Sequence, residues 1–68
     1  MKIKSVGSGS ALVELTHEDI STLNSALNEV CNGIHLGRGF ETRMGCTVEE
    51  ARDLLAEIHR LAESFDSN

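Results

Sequence analysis

The sequence predicts a small α+β domain, and three observations carry that expectation. Two short extended runs flank a Gly-Ser tetrapeptide at the beginning. Two longer segments then repeat with helical period, each introduced by a threonine with a carboxylate three residues later. Between them, residues 33–45 gather glycines, Arg38, Phe40, Arg43 and Met44 and follow neither period.

Residues 2–6 alternate weakly, with Met1, Ile3 and Ser5 on one side and Lys2, Lys4 and Val6 on the other. Gly7-Ser8-Gly9-Ser10 reads as a turn, and residues 11–15 as a second extended run. Two runs around a four-residue loop predict a hairpin. The competing reading is a leader followed by a single strand.

Thr16-His17-Glu18-Asp19 opens the first helix, expected over about 17–32. Thr16 can accept the Asp19 amide while the Asp19 carboxylate reaches back, with Asp a shorter substitute for the usual Glu. Ile20, Leu23, Leu27, Val30 and Ile34 follow at spacings of three and four, and Ala26 and Cys31 widen the stripe. One helical face is thereby marked for burial. Asn32-Gly33 is the expected stop, with Gly33 taking the left-handed conformation past the helix end.

The last helix, over about 48–65, starts with the same device. Thr47-Val48-Glu49-Glu50 is a full capping box, and its two glutamates suit the positive end of a helix. Val48, Ala51, Leu54, Leu55, Ile58, Leu61, Ala62 and Phe65 form the apolar stripe. Between the helices, residues 40–44 fit a short helical turn ending at Gly45, with Phe40 and Met44 four apart and facing the core. An open loop is the alternative there.

Sixty-eight residues make one domain with a marginal core, which a second subunit would reinforce. The 40% apolar content is enough to fold such a chain, so fraying is expected only over residues 64–68. Two cysteines do not make a disulfide framework, no signal-peptide pattern opens the chain, and no run reaches the length of a membrane span. A cytoplasmic protein with reduced thiols is expected. The net charge of −5 disfavours nucleic acid and suits a basic protein partner.

Four groupings could carry chemistry. Cys31, His35, Cys46 and His59 are zinc-type ligands, but their spacing matches no familiar finger, and Cys31 sits on an apolar face. Cys46 lies just before a helix start, where a thiol can be activated, with His35 or His59 as a conceivable base. A working site would also need an oxyanion hole and a pocket, for which a chain of this size has little room. The turn from Met44 into Ala51 resembles that of a helix-turn-helix unit, yet its second helix presents Glu49, Glu50, Asp53 and Glu57, which phosphates repel. No enzyme, cofactor or metal is therefore expected.

The fourth grouping is the carboxylate ladder Glu49, Asp53 and Glu57, four residues apart along one helix edge and flanked by Arg52 and Arg60. Like charges at that spacing cost a few tenths of a kcal/mol per pair. The ladder is either a solvated face or a surface for a cationic partner, with Arg38 and Phe40 at its rim. Asn24, Asn28 and Asn32 also recur every four residues. Asn24 borders the buried stripe, needs hydrogen-bond partners, and is expected to clasp the 33–45 segment.

Leu27-Asn28-Glu29-Val30-Cys31-Asn32-Gly33, with Phe40-Glu41-Thr42-Arg43-Met44-Gly45-Cys46-Thr47 and Glu50-Ala51 after it, resembles a set of short bacterial proteins of strand–helix–short helix–helix order. The resemblance spans roughly residues 12–62 and implies no activity. In size and charge the chain is also similar to small acidic immunity proteins, which implies a toxin-like basic partner. The sequence thus leads to a non-enzymatic interaction module, with Glu49, Asp53, Glu57, Arg38 and Phe40 as binding residues and Thr16, Asn24, Gly33, Gly45 and Thr47 as structural ones. A small homodimer is the alternative.

Overall fold

The computed structural model describes residues 1–33 and 37–66. An antiparallel hairpin of β1 (Lys2–Val6) and β2 (Ala11–Glu14) leads into α1 (His17–Asn28), which continues as a π-helical turn over Glu29–Gly33. A 3-10 turn at Gly37–Gly39 precedes the short α2 (Phe40–Met44), and α3 (Val48–Asp66) closes the fold. Ile34 and His35, expected in the first helical stripe and in a ligand or base role, lie outside the described residues.

The hairpin turn is held by the Gly7 amide donating to the Ser10 carbonyl at 2.8 Å. Strand register runs Lys2 to Glu14, Ile3 to Val13, Ser5 to Leu12 and Val6 to Ala11, with a bulge between Ile3 and Ser5. That bulge changes the faces. Val13 and Ala11 are two residues apart and share a side, so their partners Ile3 and Val6 do too. Simple alternation places Val6 opposite Ile3; the extra residue turns it round and brings Ile3, Val6 and Val13 onto one face, with Leu12 on the other. Lys4 and Glu14 pair across the hairpin at 3.7 Å.

Both helix starts carry the expected capping boxes. The Asp19 amide donates to Thr16 Oγ1 at 3.1 Å and the Thr16 amide to Asp19 Oδ2 at 3.0 Å. The Glu50 amide donates to Thr47 Oγ1 at 3.0 Å and the Thr47 amide to Glu50 Oε1 at 2.9 Å. Each box satisfies amides that a helix start leaves without intrahelical partners.

Helices α1 and α3 pack on each other, and the π-helical turn also touches α3. The pair is antiparallel: His17 at the start of α1 stacks on Phe65 near the end of α3. Among the described residues the core is Ile20, Ala51 and Phe40, at 1%, 3% and 6% exposure. Ile20 and Ala51 come from the facing stripes of the two helices, and α2 delivers Phe40.

The α+β class and element order are as expected, but the hairpin is not buried against the helices. Every residue of both strands is exposed. It is tied to α1 by the Met1 ammonium group on Asp19 Oδ2 at 2.7 Å. The molecule is a slab, 37 × 32 × 16 Å.

Two glycines of the middle segment differ from each other. Gly45 caps α2 in the left-handed region at φ 73°, its amide donating to the Glu41 carbonyl at 2.8 Å. Gly33 has no positive φ, contrary to the expected left-handed stop; among the described residues the other left-handed one is Gly37. Gly33 is instead the last residue of the π-helical turn that widens the helix from Glu29, and a Cβ on it would meet the Glu29 carboxylate.

Candidate interaction surface

At 3.6 residues per turn, Ala51, Leu55, Ile58 and Ala62 line the side of α3 turned toward α1. Ala51 is buried and the other three are half-buried. Leu54, Leu61 and Phe65 fall on one flank of that stripe, and each remains 40% exposed or more. Their spacing of seven and four makes a continuous apolar line along the helix.

On the opposite flank the helices enclose an open groove of about 710 Å³ lined by Asn24, Asn28, Leu55, Ala56, His59 and Arg60. That groove identifies which sides of α1 and α3 go together. Leu23, on the far side of the α1 stripe from Asn24 and Asn28, therefore shares the face of Leu54 and Leu61. The face continues to the root of the hairpin, where Met1, Leu15, Asp19, Thr22 and Leu23 line a hollow of about 240 Å³. Beyond it, on one side of the hairpin, stand the exposed Ile3, Val6 and Val13.

The sequence places these apolar residues but does not reveal that they are uncovered. Leu54, Leu61 and Phe65 belong by spacing to the buried stripe of α3. A single neighbouring helix is too narrow to cover the whole arc, and the hairpin does not lie over it.

The acidic ladder runs along the outer side of α3. Glu49, Asp53 and Glu57 are all exposed and form no ion pair among the described residues, and neither do Arg52 and Arg60. Arg38 is exposed in the 3-10 turn. Phe40 is not a rim residue: its side chain is buried, at 6% exposure.

Asn24 does not act as the expected clasp among the described residues. Its Oδ1 is buried and has no hydrogen-bond partner. Asn28 Oδ1 accepts instead from Asn32 Nδ2 at 3.0 Å, a bond between neighbours on one helical face. His59 pairs with Glu63 at 3.1 Å. Cys31 and Cys46 are free thiols, both half-buried, and no group of three or more potential metal ligands converges among the described residues. No helix among them is long and apolar enough to cross a membrane.

Two carboxylates are perturbed. The Met1 ammonium group and then the Thr16 amide hold Asp19 below its ordinary 3.8. The Thr47 amide and hydroxyl hold Glu50 below its ordinary 4.5. The Glu50 effect belongs to helix capping, and the Asp19 effect to the Met1 ammonium group together with the cap.

No protein-family model, curated protein or solved structure matches this chain.

Proposed function

We propose that this chain is a non-enzymatic protein-interaction module that works as a bound subunit. The observation that carries the reading is surplus surface. A compact monomer of 7.4 kDa exposes about 4,200 Å². This chain exposes 5402 Å², a surplus of about 1,200 Å². Its radius of gyration, 13.5 Å, likewise exceeds the roughly 11 Å of a compact domain of this length. Exposed patches of this kind mark places where another molecule binds. The two unbridged thiols suit a cytoplasmic setting.

The test is made at nanomolar concentration, where partners are diluted away. A chain with native circular dichroism binds an environment-sensitive apolar dye, and Leu54→Ser with Leu61→Ser reduces that binding. A folded monomer that ignores the dye would sink the reading.

A second reading rests on the exposed ladder of Glu49, Asp53 and Glu57, which forms no ion pair among the described residues, with the exposed Arg38 as a further contact. It would take a basic protein partner, in the manner of an immunity or antitoxin protein, with electrostatic steering of the encounter. Changing the three acids together to Ala should slow association with such a partner and flatten its salt dependence. Unchanged association removes the ladder from the interface.

A further inference from the structure

We infer that the occupant of the apolar face is a second copy of this chain, with each hairpin laid over the twin's helices. The inference rests on the interaction-module reading and names its partner.

Self-complementarity is the main argument. One chain offers two uncovered apolar patches that do not cover each other. The arm bears Ile3, Val6 and Val13 on one face, and the helical pair bears Leu23, Leu54, Leu61 and Phe65. A foreign partner would need to supply a counterpart to both patches. A twin related by a two-fold axis already carries both, since such an interface joins patch i to j and j to i.

The dimensions agree. At about 3.3 Å per residue, β1 is about 16 Å long. At about 1.5 Å per residue, the line from Leu54 to Phe65 is also about 16 Å long. In each slab α1 lies between the hairpin, tied to it through Asp19, and α3. Two such slabs stacked face to face about a two-fold that runs between them, parallel to α1, bring each hairpin over the opposite α3.

Charge favours the arm over a second helical face as the occupant. Glu50 and Glu57 border the Leu54–Leu61 line on the outer side of α3, by helical spacing. Two helical faces laid together would set acid against acid, whereas the arm's one acid, Glu14, stands on the side away from Val13 and is paired with Lys4.

The area is sufficient. A surplus of about 1,200 Å² on each of two chains gives about 2,400 Å² in total, within the range of permanent homodimers.

The experiment is sedimentation of the full chain and three variants. The expected result is a species of twice 7.4 kDa at micromolar concentration. Val13→Asp on the arm and Leu61→Asp on the face should each weaken dimerisation tenfold or more, while Ser25→Asp, on the outer side of α1, leaves it unchanged. Mixing the two weakened variants should restore part of the dimer. In the mixed pair one arm–face contact is intact on both sides and the other carries both changes, so the mixture associates more tightly than either variant alone. No gain on mixing would overturn the arm-on-face arrangement even if a variant folds poorly by itself.

A wild-type chain that stays monomeric at high micromolar concentration overturns the second copy as partner. The dye then separates the two readings. A monomer that binds dye leaves the interaction module standing with a different partner, whereas a monomer that does not bind it removes both.

Discussion

The ring of Phe65, in the last turn of α3, lies over the ring of His17, the first residue of α1, with centroids 5.2 Å apart and planes 15° from parallel. The helices are linked through the chain at their other ends, so this stack closes the open end of the pair. Stacked aromatic pairs contribute about 0.5–1.5 kcal/mol beyond the area they bury. Both side chains are partly in water, which places this one at the lower end. His17→Ala, Phe65→Ala and the double change should therefore show a coupling of roughly 0.5 kcal/mol in urea unfolding. Strictly additive effects would mean that the two rings act independently.

Gly45 and Gly33 should respond oppositely to alanine. Gly45 sits at φ 73°, where a Cβ is strained, so Gly45→Ala should cost about 1–2 kcal/mol. Gly33 has no such backbone, and the atoms its Cβ would meet are the movable end of Glu29. Gly33→Ala should be neutral or stabilising by up to about 1 kcal/mol, because alanine loses less backbone freedom on folding. Denaturant midpoints compare the two directly. Equal losses would restore Gly33 to the role of helix stop.

The capping carboxylates predict an acid dependence with a definite sign. Glu50 is held below 4.5 by the Thr47 amide, and Asp19 below 3.8 by the Met1 ammonium group and the Thr16 amide. A carboxyl lowered on folding stabilises the native state fully above its unfolded value. That contribution shrinks as pH falls below 4.5 for Glu50 and below 3.8 for Asp19, and is gone beneath the lowered values. Glu50→Gln keeps an acceptor for the Thr47 amide but cannot ionise. Thermal melts of wild type and variant should differ at neutral pH and converge as the solution is acidified. A gap that persists at pH about 2, below any ordinary carboxyl value, would show that the charge is not its source.

These features differ in how well the sequence discloses them, and the reason is range. A capping box joins residues three apart, so Thr16 with Asp19 and Thr47 with Glu50 are visible in the string itself. The hairpin bulge depends on which residue of β2 faces Ile3, a relation between strands, and alternation along β1 alone misplaces Val6. The apolar stripe of α3 is legible as a pattern. Its burial is not, because periodicity says which residues prefer to leave water and not whether one chain has enough surface to cover them. The acidic ladder was plain from spacing, while the uncovered line of Leu54, Leu61 and Phe65 emerges only once the hairpin is seen to stand aside.

Asn24 offers the sharpest separation of structural from functional readings. Its Oδ1 is buried beside Leu55 at the edge of the open groove and accepts no hydrogen bond among the described residues. Leaving such an acceptor unpaired costs about 1–3 kcal/mol, and replacing it with an apolar group of similar size removes that cost. Asn24→Leu should therefore raise the stability of the isolated chain by roughly 1 kcal/mol, measured by urea unfolding. It should also leave self-association unchanged, because the groove lies on the opposite flank from Leu54 and Leu61. A destabilised variant would mean that the amide has a partner in solution, and the donors lining the groove, His59 and Arg60, are the first to change in a second round.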